Sequence, residues 1–154
     1  MIKIIKQASY ILIIAVVLGL VVNAFSSNPL SFIRPLDTRE TEYPQLSADE
    51  VMKHIEEGSA IIVDAREAKY YEEGRLPSAI NLPAHQFGEY FADIGESLPQ
   101  DYPMIIYCQG SPCDESLEVL ENLKLLEFEK LYLYLGGWTE WINKGFMVES
   151  DQTP

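Results

Sequence analysis

Two cysteines stand five positions apart, Cys108 and Cys113, and no other thiol occurs in the 154 residues. Two are too few for a disulfide scaffold, so a shared local role is the first idea to test. Cys108 follows the apolar run Met104-Ile-Ile-Tyr107, and six residues after it Asp114 opens a stretch with helical spacing. A loop between a strand end and a helix start turns backbone N–H groups into a concavity, and the helix start adds partial positive charge. A cysteine placed there has a lowered pKa and is partly thiolate near neutrality, fit for nucleophilic sulfur chemistry. The competing reading is a buried, inert cysteine at a strand end. His54 and His85 stand alone. A four-ligand zinc site would have to recruit carboxylates, so no metal is expected.

The surrounding pattern predicts the elements that would hold this loop. Ser47-Ala-Asp-Glu50 is a capping box, followed by Val51, Met52 and Ile55 at helical spacing and by Gly58 as a stop. Strands are predicted over 60–64, 79–82, 104–107 and 131–135. Helical segments are predicted over 68–73, 86–94 and 114–126, with a last one after Gly136-Gly137 that carries Trp138, Trp141 and Ile142. Short strands alternating with helices imply an α/β fold, a parallel sheet covered on both faces.

Residues 8–25 carry no charge, and eighteen residues of helix span ~27 Å, close to the hydrocarbon thickness of a bilayer. With Lys3 and Lys6 in front, this predicts one transmembrane helix with its N-terminus in the cytoplasm and the domain on the extracytoplasmic, periplasmic side. A cleaved signal peptide, cut after Val22-Asn23-Ala24, is the alternative. The expected organisation is an anchor over 1–27, a Pro- and Ser-bearing linker over 28–43, a domain over 44–150 and a tail over 151–154. The part after Phe25 holds all 24 acidic residues and nine of the eleven basic ones, a formal charge of −15. Such a surface repels nucleic acid and anionic headgroups, and no nucleic-acid partner is expected.

Three ordered blocks carry a family resemblance. Ile62-Val-Asp-Ala-Arg66 with Tyr71-Glu-Glu-Gly-Arg-Leu-Pro-Ser-Ala-Ile-Asn-Leu-Pro83 is similar to the first signature of rhodanese-like domains. Ile106-Tyr107-Cys108 resembles the strand that enters their active-site loop. The stretch from Glu127 to Trp141, with Gly145-Phe-Met-Val148, resembles their closing signature. The resemblance implies a rhodanese-like fold and transfer of sulfane sulfur through a Cys108 persulfide, from a donor to a thiol acceptor, with no cofactor. It makes Gln109, Gly110, Ser111, Cys113 and Asp114 the substrate and anion loop. Asp64 and Arg66 have supporting, structural places.

The loop Cys108-Gln-Gly-Ser-Pro-Cys-Asp-Glu-Ser116 departs from the family's C-x-x-G-x-R-S. Aligned on Ser116 it is two residues longer, it lacks the arginine, and Pro112 removes one N–H. It resembles a subset with a second cysteine and an acid in the loop, often found behind N-terminal membrane segments. Without the arginine, small dianions should bind poorly, and a neutral or protein-borne persulfide fits better. Cys113 has three open readings: a buried residue at the helix start, a thiol that resolves a persulfide or sulfenate on Cys108, or a bystander. The alternative function is a non-catalytic binding or thiol redox-sensing module at the membrane.

Overall fold

A computed structural model describes residues 42–111 and 113–151, together with Gln7, Tyr10, Ile14 and Leu18. The chain divides into two units, Met1–Pro35 and Leu36–Pro154. In the first, the four described residues are helical and exposed. The expected anchor over 8–25 otherwise lies outside the described residues, as do positions 28–41 of the expected linker. Among the described residues no helix is long and apolar enough to cross a membrane.

The second unit begins with α1 (Ala48–Glu57). Ser47 starts it as a full capping box: its hydroxyl accepts from Glu50 N, and its own N–H donates to the Glu50 carboxylate at 2.8 Å. Gly58, left-handed at φ 58°, ends it. There follow β1 (Ile61–Asp64), α2 (Ala68–Glu73), β2 (Ile80–Asn81), α3 (Phe87–Ile94), β3 (Met104–Tyr107), α4 (Glu115–Leu125), β4 (Leu131–Tyr134) and α5 (Gly137–Asn143). Each lies within a residue or so of the segment expected from the pattern. The differences fall at ends: Pro83 opens a 3-10 turn, Ala84–Gln86, so α3 starts at Phe87.

The four strands form a parallel sheet in the order β2-β1-β3-β4. Alternation along each strand sends neighbours to opposite faces. Val63, Ile106 and Leu133 pack with Val119, Leu120 and Leu123 of α4, against which Phe87 and Phe91 of α3 also lie. Ile62, Ile105, Tyr107 and Tyr134 pack with Ala48 and Val51 of α1 and Trp141 of α5. Both faces are thus covered, as a buried parallel sheet requires.

Register brings the chemistry to one end. Asp64, Tyr107 and Tyr134 pair side by side as the last residues of β1, β3 and β4, so Arg66 and Cys108 emerge just beyond the same sheet edge. Two features had no counterpart in the pattern. The incoming chain pairs through Gln45 with Leu133, and Arg75 pairs antiparallel with Glu149, reinforced by an Arg75–Asp151 ion pair at 2.6 Å.

Candidate functional site

Cys108 leaves β3 and is buried, 3% exposed, with α4 beginning seven residues later at Glu115. Its Sγ is bonded to Cys113 Sγ, and the two α-carbons are 6.6 Å apart. The Ser116 hydroxyl, one residue into α4 and also buried, donates toward Cys108 Sγ at 3.5 Å. Glu115 Oε2 stands 3.4 Å from Cys113 Sγ. Two sulfurs, a hydroxyl and a carboxyl therefore meet where the loop enters the helix.

The loop is pinned from the other side by the start of α5. Trp138 N–H donates to Cys108 O and Thr139 N–H donates to Gln109 O, each at 2.9 Å. The Thr139 hydroxyl adds a bond to Gln109 O at 2.8 Å, and the Gln109 amide donates to that hydroxyl at 3.2 Å. This approach needs Gly137, which is left-handed at φ 56°. A β-carbon there would meet Cys108 O at 2.4 Å.

Beneath the loop lies a buried polar network. Asp64 accepts from Arg66 Nε at 3.0 Å and from Nη2 at 2.6 Å, and from the Tyr107 hydroxyl at 2.5 Å. Arg66 Nη2 also donates to Gly74 O, and Tyr107 accepts from Leu76 N–H. The guanidinium sits 4.7 Å from the Trp138 ring centroid, a cation–π placement. Burial works against the Arg66 charge, but the Asp64 carboxylate more than offsets this and holds its pKa above the ordinary value. Burial, with Asp64 beside it, pushes the Tyr107 hydroxyl well up. Arg66 and Tyr107 thus stay in one protonation state across the working range, and with Asp64 they brace the ends of β1 and β3.

A pocket of about 630 Å³ opens beside the loop, lined by Arg66, Tyr70, Glu73, Gly74, Gln109, Glu115 and Trp138. Arg66 faces it with its charge already met by Asp64, which leaves Glu73 and Glu115 to set the local sign. Burial raises the Glu115 pKa above its ordinary value; His85 lowers it, Glu67 and Asp64 raise it, and Arg66 lowers it.

Of the residues singled out by sequence, the structure brings together Cys108, Gln109, Gly110, Cys113, Asp64 and Arg66. Asp64 and Arg66 lie in the network under the loop, not on the sulfur. Ser111 and Asp114 are exposed, and Pro112 lies outside the described residues. Sequence reasoning did not assign site roles to Ser116, Tyr107, Trp138 or Thr139. Ser116 had a signal, its match to the serine of the family loop. Glu115 counted in the sequence only as negative charge near the loop, and its contact with Cys113 Sγ comes from the fold.

An α/β domain with a cysteine loop at the carboxyl edge of a parallel sheet, clamped by a Gly-Gly-Trp turn, is the class defined by this geometry. The model of the rhodanese-like domain matches residues 47–144, and the chain belongs to the rhodanese-like domain family. Over 99 residues it is 26% identical to the thiosulfate sulfurtransferase GlpE of Coxiella burnetii, covering 64% of this chain and 87% of that protein. It is 27% identical over 121 residues to the tRNA uridine(34) hydroxylase of Buchnera aphidicola, covering 77% of this chain but 36% of that one. The crystal structure of a Bacillus halodurans protein superposes with a TM-score of 0.63 at 25% identity, over 70% of this chain and 77% of the other. A rhodanese-related protein of Thermoplasma volcanium, at 21% identity, has the same fold with a TM-score of 0.56 over 70% of this chain and 98% of its own.

Proposed function

We propose that the protein is a sulfurtransferase that carries sulfane sulfur on Cys108. A thiol reductant first opens the Cys108–Cys113 bond. The Cys108 thiolate then attacks the outer sulfur of a donor persulfide, the donor leaves as its thiolate, and the sulfur remains as Cys108–S–SH. An acceptor thiolate attacks that outer sulfur and Cys108 departs as thiolate. The observation that carries the reading is the placement of Cys108 Sγ at the end of β3, with the Ser116 hydroxyl aimed at it at the start of α4. A hydroxyl donor and a helix start both favour a sulfur anion there. Similarity to thiosulfate sulfurtransferases supports the same chemistry.

The loop departs from the family form by its length, its missing arginine and its second cysteine, which favours a less charged donor than thiosulfate, such as an organic or protein-borne persulfide. We further propose that residues 8–25 hold the domain at a membrane, on the extracytoplasmic side. The uncharged run and the preceding Lys3 and Lys6 support this. Protease added to intact spheroplasts should then degrade the domain, and the mature chain should begin at or near Met1.

A second reading, a redox-sensing module without sulfur transfer, is favoured by the Cys108–Cys113 bond itself. Mass spectrometry separates the two. Reduced Cys113→Ser protein exposed to polysulfide should gain one sulfur on Cys108 and pass it to added dithiothreitol. A Cys108 that gains none leaves the redox reading.

A further inference from the structure

Glu115 has no part in the sulfur transfer just described, yet its carboxyl lies in contact with the second cysteine. Its Oε2 lies 3.4 Å from Cys113 Sγ. The ligand-capable atoms of Cys108, Cys113 and Glu115 all fall within 4.8 Å of one another. Glu115 also lines the pocket, so its carboxyl connects the half-buried Cys113 to solvent.

We propose that Cys113 and Glu115 form a resolving pair, in which the Glu115 carboxylate takes the Cys113 thiol proton as Cys113 attacks the inner sulfur of the Cys108 persulfide. This rests on the sulfurtransferase reading and adds a second exit for the bound sulfur. The step balances. The Cys113 S–H bond breaks and its proton passes to Glu115. The Cys113–Cys108 S–S bond forms and the S–S bond to the outer sulfur breaks. The outer sulfur leaves with its own hydrogen as hydrosulfide. That sulfur is reduced by two electrons, and the two cysteine thiols are together oxidised to the disulfide. An external dithiol then reopens the pair and restores the enzyme. The product of this branch is hydrosulfide, released without an acceptor thiol entering the site.

Proximity does most of the work, because two groups held within one loop react without a bimolecular encounter. Proton removal supplies the rest. A thiol is a poor nucleophile until it loses its proton, so a base beside Cys113 speeds its attack. The groups facing Glu115 are His85 and Arg66, which favour its charged form, and Glu67 and Asp64, which disfavour it. Burial adds to the second pair, and the resulting upward shift makes the carboxylate a stronger base than an exposed glutamate. Ser116 sits on Cys108 rather than Cys113, so the two sulfurs have separate polar partners.

The experiment loads the reduced full-length chain with polysulfide, removes excess donor, and follows hydrosulfide release and disulfide closure by alkylation and mass spectrometry. The expected result is about one hydrosulfide per chain, with Cys113 lost to the disulfide. Cys113→Ser should hold its persulfide and release none. Glu115→Gln should close about a hundredfold more slowly at neutral pH, the size of a general-base contribution. Its rate should then climb about tenfold per pH unit toward the thiol's own ionisation, while the natural protein stays flatter. A Glu115→Gln protein as fast as the natural one, or faster, would overturn the proposal, because it would mean that the carboxylate only repels the Cys113 thiolate. If Cys108 takes no sulfur even in Cys113→Ser, the sulfurtransferase reading fails. The role of Glu115 is then decided with oxidised glutathione, which forms a mixed disulfide on Cys108 for Cys113 to resolve. There too, Glu115→Gln must be slower with a steeper pH profile, or the proposal falls.

Discussion

The α-carbon of Gly137 stands so close to the carbonyl oxygen of Cys108 that a β-carbon on Gly137 would lie 2.4 Å from it and 2.8 Å from Gly110 N. The turn into α5 is therefore pressed against the cysteine loop, backbone to backbone, and the bonds from Trp138 and Thr139 form because no side chain intervenes. Gly137→Ala should move the loop. A left-handed alanine costs about 1–2 kcal/mol by itself, and the overlap with backbone atoms adds to that. We expect a loss of at least about 2 kcal/mol in urea unfolding, together with slower sulfur loading of Cys108. An alanine variant with unchanged stability and loading would show that the loop and the turn are not tied.

The Asp64–Arg66 pair should behave as a structural unit. Both side chains are almost fully buried, and removal of one leaves the other's charge without a partner. Arg66→Met or Asp64→Leu should each cost about 3–5 kcal/mol, whereas the two changes together should cost much less than the sum of the single ones. Strict additivity in a double-mutant cycle would contradict the shared network.

Much of this could be read from the sequence, and what could not has a common cause. The elements were legible because the capping box at Ser47, the apolar strand runs and the leucine spacing over Leu117, Leu120 and Leu123 are local signals that agree with the fold. Cys108 was legible from its place after Tyr107, and Gly136-Gly137 as a turn. The partners inside the site were not. Thr139 meets Gln109 across 30 positions, where α5 packs on the loop, and Tyr107 meets Asp64 across 43, through strand register, and no local pattern encodes either contact. Arg66 and Asp64 were read as structural, but only the fold names the partners, with the Arg66 Nε and Nη2 donors held by Asp64 and Gly74.

Closure of the Cys108–Cys113 bond should stabilise the domain modestly. The bridged loop is short, with a sequence separation of 5, and the chain-entropy model gives about 2 kcal/mol for such a loop. Cys113→Ser should therefore unfold at lower denaturant than the oxidised natural protein and match the natural protein in dithiothreitol. A difference that persists under reduction would point to packing of Cys113 instead.

The raised pKa of Glu115 predicts a pH trend in stability. A carboxyl with a higher pKa in the folded state than in the unfolded chain holds more protons when folded, so its contribution weakens as pH rises. The loss begins at the ordinary glutamate range and is complete above the raised folded value. Glu115→Gln cannot ionise and escapes it. Relative to the natural protein, the variant should gain in Tm as pH rises from the ordinary glutamate range through the raised folded value, with no such gain below the carboxyl range. A constant Tm difference across that window would show that burial does not perturb the group.

Donor charge should leave a signature in ionic strength. Thiosulfate is a dianion, and the chain carries a formal net charge of −13. At the pocket, Arg66 is neutralised by Asp64, and Glu73 and Glu115 remain. Repulsion between exposed charges fades as the Debye length shrinks from about 10 Å at 0.1 M salt to about 3 Å at 1 M. The kcat/KM for thiosulfate should thus be low and should rise with salt, while that for a singly charged organic persulfide should rise much less. Glu73→Gln, which removes a pocket charge without touching either cysteine, should raise thiosulfate turnover in dilute buffer and flatten its salt dependence. Thiosulfate turnover that falls with added salt would mean that the loop presents net positive potential to the donor, and the preference for a less charged persulfide would then be wrong.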